Sequence, residues 1–136
     1  MKLTKGQRAI LFSMFDGCCA YCGCELLPGW HADHVEPIIR EGKKKELEDG
    51  RTTYGYIQTG RCDHPERENF ANLVPACRSC NINKGCTPLE VWRDCLERMV
   101  DGLRRDHPSV RIAERFGLIT QTKTVIVFHF EAVRAK

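Results

Sequence analysis

The chain has 136 residues, 42% of them apolar and 29% charged, enough for one domain and too few for two with separate cores. This composition excludes a disordered, collagen-like or coiled-coil chain, and no run of about 18 apolar residues marks a membrane span. The net charge of +3 comes from 21 Lys and Arg against 18 Asp and Glu, interleaved along the chain, so no basic block announces a nucleic-acid partner. The polar start, Met1 to Arg8, lacks the apolar core of a secretory signal. These features predict a soluble, cytoplasmic protein.

Thr4 is placed to cap a helix over residues 5–16, with Ile10, Leu11, Met14 and Phe15 at three- to four-residue spacing and Gly17 ending it. An extended stretch follows from His31 to Ile39, broken by Pro37. Residues 40–67 are polar and longer than an ordinary connection, so they read as a functional loop or a mobile insertion. Lys43, Lys44, Lys45 and Arg51 within it suit phosphate, while Glu41, Glu46, Glu48 and Asp49 balance them as a solvated loop would. Leu73-Val74-Pro75 reads as a second short strand. Thr87-Pro88-Leu89-Glu90 has the pattern of a capping box with Pro at the first helical position. Leu89, Trp92, Leu96, Met99 and Leu103 then predict one buried stripe over four helical turns. Pro108 opens a further short helix that ends near Gly117. The β-branched and aromatic run 122–131 predicts a strand that either completes the core or pairs across a dimer.

Nine cysteines, an odd number without a signal peptide, argue for metal binding rather than an extracellular disulfide framework. Cys19-Ala-Tyr-Cys22 and Cys77-Arg-Ser-Cys80 have the spacing that turns two sulfurs toward one ion, and two such turns complete a tetrahedral site. Four thiolates leave no open position, so the expected ion is a structural Zn2+. Cys18 and Cys24 compete for the first turn, and Gly23 as its turn residue favours Cys19 with Cys22. Cys62, Cys86 and Cys95 are expected to be free thiols, Cys95 near the buried face of its helix.

Between the two cysteine turns stand Asp33-His34 and, after the polar insertion, Asn72-Leu-Val-Pro-Ala-Cys77-Arg-Ser-Cys80-Asn81. Across residues 18–86 this arrangement resembles the HNH endonuclease family, and more narrowly its zinc-stapled branch common in bacteriophages. The resemblance implies an α+β fold: a ββα-metal finger stapled by the four-cysteine zinc, as a single domain over 1–136 with residues 87–136 as a helical and strand extension. It implies a DNA endonuclease, acting on duplex DNA in the cytoplasm of a bacterial host and leaving 5′-phosphate and 3′-hydroxyl ends. His34 would be the general base, and Asp33 and Asn81 would bind a catalytic Mg2+ or Mn2+. Asn72 would orient the loop carrying His34 through side-chain-to-backbone hydrogen bonds. The third letter of the motif is Asn81 rather than His, and its carbonyl oxygen suits a hard cation.

Lys84, three residues after Asn81 and so on the same helical face, is a candidate ligand for a flanking phosphate. Asn83 competes with Asn81 for the cation. His31, on the strand face of Asp33, and Glu36 read as structural groups with substrate or outer-shell roles as alternatives; His64, His107 and His129 carry no pattern. Consecutive strand residues point to opposite faces, so Asp33 and His34 reach one cation only if the strand ends or twists there. The rival function is a zinc-stapled nucleic-acid-binding module that does not cleave. Nothing in the sequence chooses between monomer and homodimer.

Overall fold

The computed structural model describes residues 2–46, 50 and 52–134. Thr4 starts α1 (Lys5–Ser13) with a reciprocal cap, its hydroxyl accepting from the Gln7 N–H while its own N–H donates to Gln7 Oε1. The helix stops at Ser13 rather than residue 16 because the chain turns through Asp16 and Gly17, both at positive φ. Leu11 and Phe15 are buried, whereas Ile10 and Met14 are exposed.

Four strands follow: β1 (His31–His34), β2 (Ile39–Glu46), β3 (Thr52–Asp63) and β4 (Leu73–Ala76). They form two separate antiparallel pairs, β1 with β4 and β2 with β3. In the first pair Asp33 lies opposite Val74 and His34 opposite Leu73, and β4 is buried along its whole length. α2 (Arg78–Lys84) follows β4 directly, capped by Cys77, whose sulfur accepts from the Cys80 N–H.

The second pair corrects the expectation of a loop over 40–67. Most of this stretch is a long hairpin, closed by 3₁₀ turns at Pro65–Arg67 and Phe70–Asn72. Register shifts between Arg40 and Gly42 and between Lys44 and Glu46 break the alternation by which a strand is recognised. Glu48, Asp49 and Arg51 lie outside the described residues, as do the side chains of Lys45 and Glu46.

The C-terminal half holds α3 (Leu89–Glu97), α4 (Met99–Asp106), α5 (Pro108–Arg115) and α6 (His129–Arg134). Pro88 is the cap of α3 and makes no side-chain bond, so the expected capping box is absent; Glu90 instead pairs with Arg93 at 2.9 Å. The predicted stripe divides at Arg98. Trp92 is buried, with Leu89 and Leu96 packed on the core, but Met99 and Leu103 are exposed on α4. Cys95 is exposed as well, not turned to the core.

Residues 122–128 form no strand and 129–134 are helical, which overturns the strand expected over 122–131. Side chains take the place of a neighbouring strand. Ile126 N–H donates to Glu97 Oε1, Phe128 N–H donates to Glu131 Oε2, and Arg93 donates to the Ile126 carbonyl. The segment still completes the core. Phe128 stacks on Trp92 at 5.2 Å and on Phe130 at 5.8 Å, and Tyr21 meets Trp92 edge-on. His129 and Phe130 N–H groups then donate to the carbonyls of Tyr21 and Ala20, docking α6 onto the first cysteine turn.

Phe128 is 1% exposed, so Phe128→Ala should lower stability by about 3–5 kcal/mol in urea unfolding of the metal-loaded protein. A loss below about 1 kcal/mol would show that the C-terminal segment is not part of the core.

Candidate active site and metal centre

The four sulfurs of Cys19, Cys22, Cys77 and Cys80 all lie within 4.8 Å of one another. Cys22 and Cys77 are 3.9 Å apart, and a tetrahedral ion with thiolate bonds of about 2.3 Å needs sulfur edges of about 3.8 Å. The donor set therefore fits a structural metal. Cys19 is prepared for it: hydrogen bonding from Cys80, supported by the Cys22 and Cys77 backbone and opposed by burial, lowers its pKa to about 4. Among the described residues no other group of three or more His, Cys, Asp or Glu side chains gathers this way. Of the two competitors, Cys18 turns toward the Asp16 carbonyl. Cys24 stays at the rim with its sulfur 3.4 Å from that of Cys22.

The two cysteine turns bring a second group of side chains together below β1. Tyr21, inside the first turn, donates to Asp33 Oδ2 at 2.6 Å. Burial, then the charge of Asp33, pushes the Tyr21 phenol well above its usual range, so it remains a donor. Lys84, the last residue of α2, reaches the same carboxylate oxygen at 3.2 Å and donates to the His34 carbonyl at 2.6 Å. Its side chain is 0% exposed. Lys84 is thus a buried strut beneath the strand and not a ligand for a flanking phosphate. The helical spacing from Asn81 holds, but this edge of the helix faces inward.

Asn72 is also fully used. Its Oδ1 accepts from the Glu36 N–H at 2.9 Å, and its Nδ2 donates to the carbonyls of Glu36 at 2.8 Å and Arg67 at 2.9 Å. Its own carbonyl accepts from the Val35 N–H. These bonds pin the chain immediately after His34, where β1 ends. Asn83, the rival of Asn81, accepts from the Trp92 indole at 2.7 Å and is structural. His31 is exposed, and Glu36 meets Arg67 at 3.9 Å.

Asp33, His34 and Asn81 line one cavity of about 340 Å³. Among the described residues Asp33 Oδ1, the Asn81 amide and both ring nitrogens of His34 have no hydrogen-bond partner. His34 Nε2 is buried and is the one such buried side-chain atom among those residues; a buried polar atom left unpaired costs about 1–3 kcal/mol. Nδ1 is then the nitrogen that meets water. Burial lowers the His34 pKa below 6.5, Arg40 adds to the shift, and Asp33 and Glu68 oppose it. The ring is therefore neutral at pH 7 and able to accept a proton. The oxygens of Asp33 and Asn81 are hard donors of the kind Mg2+ takes.

Arg40 lines the same cavity, its guanidinium held by Glu68 at 2.8 Å. Sequence reasoning misses both Arg40, hidden in the polar insertion, and Tyr21, hidden between two metal-type cysteines. Neither position carries a local signal, since each gains its role from a partner far along the chain.

No helix among the described residues is long and apolar enough to cross a membrane. Comparison with protein-family models, with curated proteins and with solved structures returns no match, so the reading of this site rests on its own geometry.

Two outcomes test that geometry. Elemental analysis should find one tightly held metal per chain, lost in Cys80→Ala and kept in Cys95→Ala; equal metal content in both variants would contradict the assignment. Lys84→Met should cost about 3–5 kcal/mol by stranding the Asp33 charge, and adding Asp33→Asn should recover part of it. Additive losses in urea unfolding would mean that the two side chains are not coupled.

Proposed function

We propose that the chain is a metal-dependent DNA endonuclease of the HNH type: a ββα-metal unit formed by β1, β4 and α2, stapled by a structural Zn2+ on Cys19, Cys22, Cys77 and Cys80. The observation that carries the reading is the separation of committed from uncommitted polar groups. Asn72, Asn83 and Lys84 spend their hydrogen bonds on the scaffold, while Asp33, His34 and Asn81 bring unspent donors and acceptors to one cavity. A module that only binds nucleic acid has no use for an unpaired histidine there.

Asp33 and Asn81 would hold one Mg2+ or Mn2+, which when bound supplies charge neutralisation at the phosphate oxygens. The chain's own groups do the rest. Neutral His34, through Nδ1, accepts the proton of the water that attacks phosphorus. Asn72 and Lys84 keep that ring in place by fixing the His34 carbonyl and the backbone just after it. Arg40 faces the same cavity and takes the phosphate-gripping role that the sequence suggests for Lys84. As the water oxygen bonds to phosphorus, the bond to the 3′-oxygen breaks and that oxygen takes a proton from solvent, leaving a 5′-phosphate and a 3′-hydroxyl.

Single-turnover cleavage of an end-labelled DNA duplex tests this reading. His34 must be neutral to act, and its pKa is shifted below 6.5. The rate should therefore rise as pH climbs through that lowered value and level off above it, with the acid limb below the pH 6 to 8 range that an unperturbed histidine would give. Asp33→Asn and Asn81→Ala should each raise the cation concentration for half-maximal rate by roughly tenfold or more. A rate independent of pH, with unchanged cation dependence in both variants, would contradict the assignment.

A further inference from the structure

The chemistry above leaves the β2–β3 ribbon without a role. Every described side chain from Glu41 to Lys44 and from Ile57 to Arg61 is exposed, so the ribbon has no buried face along these stretches. A two-stranded ribbon is marginal in water unless something packs on it. Its root, however, is part of the catalytic cavity: Ile38 and Arg40 line that cavity, and Arg40 pairs across the ribbon with Cys62. Whatever the ribbon grips is held at the rim of the cavity.

The described charges of the ribbon are mainly basic. The stretches next to the cavity, residues 39–44 and 57–63, carry four basic residues, Arg40, Lys43, Lys44 and Arg61, against Glu41 and Asp63. A positive field therefore borders the cavity, complementary to a polyanion lying across its mouth. The shape fits one such polyanion. Two strands about 4.8 Å apart enter the major groove of B-form DNA, about 12 Å wide, which accepts a two-stranded ribbon.

We propose that the β2–β3 ribbon lies in the major groove of the duplex whose phosphodiester enters the cavity, with Lys43, Lys44 and Arg61 on the flanking phosphates. Gln58 is the residue set to read a base edge. It stands opposite Gly42, whose missing side chain leaves it clear on that face, and a glutamine can bridge two positions on adenine. The inference takes the identity of the polyanion from the nuclease reading, and its test separates the two.

Two full-length variants serve. In one, an Asn-Gly turn replaces residues 43–57 and joins the paired Gly42 and Gln58 as a two-residue hairpin. The other is K43E/K44E. Affinity for a fluorescent DNA duplex is read by anisotropy with Ca2+ in place of Mg2+, and turnover of bis(p-nitrophenyl) phosphate with Mg2+ or Mn2+ reads the cavity without a groove. Both variants should lose about tenfold or more in duplex affinity, K43E/K44E should flatten the dependence of log affinity on log salt by about one to two, and small-diester turnover should persist. Undiminished duplex affinity in both variants overturns the proposal, as does equal binding of duplex RNA, whose deep, narrow major groove excludes the ribbon. Ribbon-dependent DNA binding by a wild type that hydrolyses neither substrate would support the groove assignment and overturn the nuclease reading alone.

Discussion

Four sulfur atoms drawn from two turns 55 residues apart must occupy one small volume, and the positions of the other functional groups follow from that closure. The first turn carries Tyr21 and the second opens α2, which carries Asn81 and Lys84. Bringing the turns together sets Tyr21 and Lys84 on the same oxygen of Asp33. The Ala20 N–H donates to the Pro75 carbonyl and the Cys77 N–H to the Cys19 sulfur, tying the turns to β4 and to each other. Around them the aromatic cluster of Tyr21, Trp92, Phe128 and Phe130 supplies the burial that a chain of this size needs.

The buried lysine has a consequence for the chemistry. One oxygen of Asp33 is neutralised by Lys84 and hydrogen-bonded by Tyr21, so the carboxylate offers a cation only its second oxygen, at reduced charge. Asn81 adds a neutral donor. On the proposed reading, such a pair would bind a hard cation weakly by itself and better together with the oxygens of a phosphodiester, which is how Mg2+ is commonly held. On that reading, cation and substrate would enter as linked ligands beside a neutral histidine. Lys84 also fixes the His34 carbonyl, so the same charge that tempers the carboxylate holds the proposed base in place.

What was legible in the sequence is what is encoded locally. The cysteine spacing, the Thr4 cap and the short strands at His31 and Leu73 each depend on a few neighbouring residues. The ribbon escaped because two register shifts and interspersed glycines hide its alternation. The run at 122–131 misled because β-branched residues mark a strand only when another strand accepts them, and here the carboxylates of Glu97 and Glu131 take the exposed N–H groups. Lys84 was misread for a tertiary reason, since nothing near it in sequence announces that Asp33 waits 3.2 Å away. The stripe from Leu89 to Leu103 predicted a face correctly as far as Leu96, beyond which the core ends.

The most direct test is relaxation of supercoiled plasmid by the zinc-loaded protein with Mg2+ or Mn2+, run beside His34→Ala of equal zinc content and equal thermal stability. Relaxed circles from the wild type and a loss of about a hundredfold or more in the variant are the predicted result. Equal relaxation by both proteins, or none by a folded wild type with either cation, would contradict the claim that the unpaired groups of this cavity form a hydrolytic site.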